Sequence, residues 1–148
     1  MPHADAARAI VDANSYMTLA TADGDGRPWA SPVWYAHDAY TDFVWVSKPS
    51  ALHSRNLAVR PEVGIVIFDS TVAPGEGKAV YVEAVARELD GAERDDALAV
   101  FSRRSAAQGL AEWTLADVTA PARHRLFRAT ARRHFVLQAN DERLAVEL

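Results

Sequence analysis

Apolar and polar positions alternate over short runs along most of this chain, and turn residues separate the runs. Ala4 to Asn14 departs from that pattern: alanine-rich helix formers carry Ile10 and Val11 on a narrow apolar stripe, which predicts a short helix laid on the core. Tyr16 to Ala22 (YMTLATA) is β-rich, Asp23-Gly24-Asp25-Gly26 is turn chemistry, and Pro28 to His37 (PWASPVWYAH) is extended again. The two extended runs therefore form a hairpin. Pro32 has no amide to donate, which puts its strand at an edge, at a bulge or beside a ligand.

Asp42 to Ser47 (DFVWVS) reads as a third strand and Val63 to Asp69 (VGIVIFD) as a fourth. The near-continuous apolar run of the fourth predicts burial on both faces and pairing with the third at the centre of the sheet. Between them, Ser50 to Arg60 reads as a short helix capped by Ser50, containing Leu52, Leu57 and Val59 and ended by Pro61. A loop at Thr71 to Gly77 leads to a long strand, Lys78 to Leu89, with Val80 and Val82 at alternate sites. A helix over Ala92 to Ala107 follows, with Ala97, Leu98, Val100 and Phe101 inward. After a polar bend around Trp113 to Pro121, Arg125 to Ala131 and His134 to Gln138 read as a last pair of strands, with Leu144 to Val146 as a terminal extension. Hairpins without regular strand-helix alternation predict a mostly β fold, an antiparallel barrel of about six strands with peripheral helices.

Composition narrows what such a barrel does. At 148 residues the chain is expected to be one domain, residues 1–148, with its own core. No segment approaches the roughly 18 to 20 apolar residues of a membrane span, and Met1 to Asn14 lacks the basic-then-apolar order of a secretory signal, so the expected location is the cytoplasm. The absence of cysteine excludes disulfides, thiolate nucleophiles and cysteine-based metal centres, so redox chemistry would need an added cofactor. A net charge of -4 argues against nucleic acid as partner.

Several near-motifs fail on spacing. Asp23-x-Asp25-Gly26 lacks the later oxygen ligands of a calcium loop. Gly75-Glu76-Gly77-Lys78-Ala79 lacks the first glycine and the Ser/Thr of a P-loop. The five histidines show no metal-ligand spacing, and no GxSxG elbow is present.

The run from Ser47 to Asn56 (SKPSALHSRN) carries the chemistry. It sets a strand end, three hydroxyls and the cations Lys48 and Arg55 at the first turns of a helix. Unpaired amides at a helix N-terminus carry roughly half a positive charge, and Lys48, Arg55 and a protonated His53 could complete neutralisation of a phosphate. Ser47, Ser50 and Ser54 could donate to the remaining oxygens. The same residues are equally compatible with a plain helix cap and two solvated cations. Trp29, Trp34, Tyr35 and Trp45, on strands flanking Ser31-Pro32-Val33, suggest an aromatic wall beside that turn, although tryptophans at strand spacing more often fill a core.

Three stretches resemble the FMN-binding split-barrel proteins related to pyridoxamine 5'-phosphate oxidase: Leu19 to Tyr35, Val44 to Asp69 and Gly75 to Leu89. The resemblance implies a six-stranded antiparallel split barrel that works as a homodimer, with FMN in clefts at the subunit interface. It sets Ser31, Pro32 and Val33 beside the flavin ring with Trp45 on the neighbouring strand, Ser47 and Lys48 near ribityl and phosphate, and His53, Ser54 and Arg55 in the phosphate turn. Leu52 and His53 stand where the oxidase has an Arg-Lys pair, and its substrate-binding Arg-x-His near the C-terminus has no clear counterpart. The expected function is flavin-mediated electron or hydride transfer to a small-molecule substrate, with Trp113, His124 and Arg128 as candidate borders of the substrate cleft. Alternatives keep the fold and change the role: a reductase using a deazaflavin coenzyme, or a non-enzymatic flavin- or haem-binding protein.

Overall fold

The alternating runs become eight strands of one antiparallel sheet in the computed structural model, which describes residues 2–148. Helix α1 (Pro2–Ala13) leads into β1 (Tyr16–Ala22), β2 (Pro28–Trp34), β3 (Ala36–Asp38) and β4 (Asp42–Ser47). Helix α2 (Leu52–Val59) precedes β5 (Glu62–Phe68) and β6 (Ala79–Glu88). Helix α3 (Gly91–Ala107) and a 3-10 turn (Leu115–Val118) precede β7 (Arg125–Leu137) and β8 (Arg143–Val146). The ladder runs β2-β1-β5-β6-β7-β4-β3, and β8 joins the far half of β7. Among the described residues the end strands have no partner on their outer edges, while β2 packs near β4, so the sheet curls into a barrel with an open seam. Six long strands and two short ones make this a split barrel.

Local chemistry explains most of the elements. The Asp23 carboxylate accepts the amides of Asp25 and Arg27, each at 2.9 Å, and Gly26 takes φ +85°, so the β1-β2 turn uses its acidic residue on its own backbone. Pro32 lies opposite Thr18 in the edge strand β2, where a missing donor costs the ladder least.

Three expectations are corrected. The third and fourth strands do not pair: β4 lies between β7 and β3, and β5 between β1 and β6. The strand buried on both faces is β4, because Phe43 and Trp45 enter the barrel while Val44 lies under α3, which packs on β3, β4 and β7. In β5 the burial alternates, with Val63, Ile65 and Ile67 inward. The expected last pair of strands is a single strand, β7, whose register against β6 shifts at Glu83/Ala84 and leaves Arg132 as the extra residue. That bulge lets two successive arginines sit outside without ending the strand.

The barrel interior holds Met17, Leu19, Tyr35, Phe43, Ile65 and Ile67 with the Trp45 and Phe127 rings stacked at 5.8 Å, and Ala7 and Val11 of α1 pack against them. Removing one such ring, as in Phe127→Ala, costs about 3–5 kcal/mol. Helix α3 buries Ala97, Leu98 and Phe101 as its periodicity predicts. No helix among the described residues is long and apolar enough to cross a membrane.

Candidate functional site

Strand β4 ends at the buried Ser47, and the chain passes through Lys48, Pro49 and Ser50 before entering α2 at Leu52. Ala51 occupies the N-cap position with extended backbone (φ -62°, ψ 147°) and no side-chain cap. Ser50 therefore does not cap the helix, a correction to the sequence expectation: the helix starts one residue later than a Ser50 cap requires. The first amide to find a helical partner is that of Arg55, on the Ala51 carbonyl at 3.0 Å. The amides of Leu52, His53 and Ser54 precede it and have no intrahelical acceptor. The positive end of α2 is thus left without a side-chain oxygen of its own.

Two side chains of that first turn are buried. Ser47 Oγ and His53 Nε2 are 2.8 Å apart and tie the strand end to the helix. Burial pushes the His53 imidazole below its ordinary value of 6.5, so it is neutral at pH 7. The cationic role expected of His53 is thereby corrected: its desolvation disfavours the charged form, and its contribution here is positional. Ser54 is 3% exposed, and its Oγ has no hydrogen-bond partner among the described residues. An unsatisfied buried hydroxyl costs about 1–3 kcal/mol. Ser54 lines a cavity of about 310 Å³ whose other walls include Pro49, Arg55, Ala86, Arg87 and Phe127.

Charge around this cavity is unevenly committed. Arg55, Arg87 and Glu88 line it, and Lys48 precedes its Pro49 wall; Lys48 and Arg55 are exposed, and among the described residues neither makes an ion pair. Arg87 and Arg128, opposite one another on β6 and β7, both hold Glu93 at the start of α3. The Arg128 hydrogen bond is the main reason the Glu93 carboxyl lies below the usual carboxylate range. Helix α2 itself is pinned to the β1-β2 hairpin, where Asn56 Nδ2 donates to Thr21 Oγ1 at 3.1 Å and Arg60 donates to the carbonyls of Asp23 and Gly24.

The remaining candidates fall in different places. Ser31, Pro32 and Val33 lie on β2, respectively half-buried, exposed and buried, along the seam between β2 and β4. The Trp45 ring is inside the barrel against Phe127, with its Nε1 buried and without a partner among the described residues. The expected aromatic wall does not form, a correction with a packing cause. Trp29 is 49% exposed at the hairpin, Trp34 packs edge-on against Phe101 at 4.8 Å, and Tyr35 turns inward to donate to the Val11 carbonyl at 2.5 Å. Trp113 and His124 pack edge to face at 6.1 Å and do not line the Ser54 cavity, whereas Arg128 belongs to the Glu93 cluster. Sequence reasoning missed Thr21 and Arg87, and gave Asn56, the last residue of the run, no role. Asn56 was visible as a polar residue one turn after His53, but nothing local connects Arg87 to the turn.

The family profile described as pyridoxamine 5'-phosphate oxidase matches residues 4–137. No curated protein sequence matches the chain. Among solved structures it is similar to a haem-binding protein from Mycobacterium smegmatis, with TM-score 0.75, 24% identity, and coverage of 97% of this chain and 57% of that one. It is also similar to HutZ, the haem storage protein of Vibrio cholerae, with TM-score 0.68, 25% identity, and coverage of 87% and 90%. An FAD-binding protein from Mesorhizobium loti gives TM-score 0.62, 23% identity, and coverage of 95% and 91%. The chain spans a little over half the length of the mycobacterial protein.

Proposed function

The chain belongs to the pyridoxamine 5'-phosphate oxidase family, and on that premise we propose that it binds a phosphate-bearing flavin, FMN, with the phosphate at the turn between β4 and α2. The observation that carries this reading is the buried Ser54 hydroxyl, without a partner among the described residues, on a residue that lines the same cavity as Arg55 and lies in the uncapped first turn of a helix. A phosphate oxygen is the acceptor that hydroxyl lacks. Lys48 and Arg55 supply the charge, and the Ser47–His53 contact holds the turn in shape with a neutral imidazole. Ser31, Pro32 and Val33 offer the edge backbone of β2 to the ring, and Trp45, two residues before Ser47 on β4, fills the barrel behind it.

FMN when bound supplies two-electron transfer, and the working reaction is the reduction or oxidation of a small molecule in the cytoplasm. The protein's share is binding, orientation and exclusion of water by the barrel wall. The functional unit is a homodimer that completes the site at its interface. Supporting this, β2 has a free edge and the aromatic side chains of Tyr16 and Phe68 are exposed on neighbouring strands β1 and β5.

Haem, bound by two of the similar proteins, is the competing reading. It is less favoured in this cavity because no histidine is among the cavity's lining residues, and His53 is engaged by Ser47. A deazaflavin coenzyme with a long acidic tail is also disfavoured, since Glu93 and Asp42 together offset the charges of the neighbouring Arg87 and Arg128. Mass spectrometry of the chromophore released from purified protein tests the reading. FMN supports it, whereas haem or a deazaflavin as the sole chromophore contradicts it.

A further inference from the structure

A second concavity, of about 470 Å³, lies where the end of α3 meets the segment before the 3-10 turn, with Trp34, Leu110, Glu112, Trp113 and Asp117 among its walls. Its two indoles are held in place before any ligand arrives. Trp34 donates Nε1 to Gln108 Oε1 at 2.7 Å, and Phe101 meets its ring edge-on at 4.8 Å. Trp113 is flanked edge-on by Phe101 at 5.6 Å and by His124 at 6.1 Å, and its backbone amide donates to Ser102 Oγ.

The charge on these walls has one sign. Asp117 accepts the amide and the hydroxyl of Thr114 at 2.7 and 2.9 Å, contacts that hold its carboxyl below the usual range and keep it ionised. Glu112 is exposed, and no lining residue is basic. Among the described residues no ion pair involves either carboxylate. The one buried hydroxyl nearby, on Ser105, already donates to the Ala111 carbonyl at 2.6 Å. Anions are repelled from such walls. A weakly hydrated cation gains both the carboxylate field and contact with two immobilised indoles that line the same cavity.

We propose that this cavity binds a small quaternary or tertiary ammonium compound, with its alkyl groups against Trp34, Trp113 and the exposed Leu110 and its charge between Glu112 and Asp117. The site is separate from the β4-α2 turn and does not rest on the flavin reading.

Choline and its uncharged isostere 3,3-dimethylbutan-1-ol are the probes, titrated into the full chain by calorimetry and by ligand-observed NMR. Saturable choline binding about 10-fold tighter than that of the isostere is expected. Glu112→Gln, at an exposed position that leaves the fold intact, weakens choline and spares the isostere, and Trp113→Leu removes choline binding. Should Trp113→Leu fail to fold, Glu112→Gln decides the question alone. Equal affinity for the two probes, absence of saturable binding at millimolar choline, or choline affinity unmoved by Glu112→Gln overturns the proposal.

Discussion

Ser54→Ala distinguishes a phosphate ligand from a passive core residue, because its two effects have opposite signs. In the ligand-free chain the Ser54 hydroxyl is buried and has no hydrogen-bond partner among the described residues, a condition costing about 1–3 kcal/mol. Alanine removes that cost at the loss of one atom's packing contacts, so a net gain of about 1 kcal/mol is expected. For a chain of this size that gain raises Tm by about 3–4 °C. Helix propensity adds up to about 0.5 kcal/mol in the same direction, so a smaller rise says nothing about the hydroxyl. With FMN bound the order reverses. A hydrogen bond to a phosphate oxygen is worth about 1.5–3 kcal/mol, so Kd rises about 10- to 100-fold and saturating FMN raises Tm less than in the parent. Thermal melts with and without FMN, together with titration of flavin fluorescence, read both effects. A variant that is less stable without ligand and unchanged in FMN affinity would refute the reasoning and leave Ser54 a packing residue.

Three other outcomes follow from the same geometry. Lys48→Ala with Arg55→Ala weakens FMN by about 10- to 100-fold per charge removed and leaves riboflavin affinity unchanged, since riboflavin has no phosphate; equilibrium dialysis compares the two. Because burial depresses the folded-state pKa of His53 below 6.5, its neutral form contributes stability that is complete above that value and is lost as pH falls through the depressed one. His53→Gln flattens this component of the acid-side stability curve measured by urea unfolding, and an unchanged slope contradicts it. Glu93→Gln releases Arg87 toward the cavity it lines and raises FMN affinity severalfold in the same titration, whereas unchanged affinity places Arg87 outside the site.

Local patterns carried much of the fold and only part of the site. The hairpin about Asp23 to Gly26 and the inward face of α3 follow from turn chemistry and helical period, which neighbours in sequence decide. Strand pairing was not legible, because whether VGIVIFD or DFVWVS is covered on its second face depends on where α3 packs. The double arginine at Arg132 and Arg133 looked like a strand end until the bulge opposite Glu83 and Ala84 accommodated it. At the site, the turn from Ser47 to Asn56 was legible because strand end, hydroxyls and cations are contiguous. The protonation of His53 was not, since it follows from burial and from Ser47. Arg87 was invisible because only the β5-β6 pairing, which sets the Ala86 amide on the Pro61 carbonyl just after α2, brings it to the turn.

The central claim is that the uncapped turn with its orphaned Ser54 hydroxyl binds the phosphate of a flavin. Parallel titrations of the ligand-free protein with FMN, riboflavin and haem test it most directly. The account predicts saturable FMN binding at least about 1,000-fold tighter than riboflavin, the difference being the phosphate contacts of Ser54, Lys48 and Arg55 at about 10-fold or more each. Equal affinity for FMN and riboflavin, or saturable binding of haem with none of FMN, would contradict it.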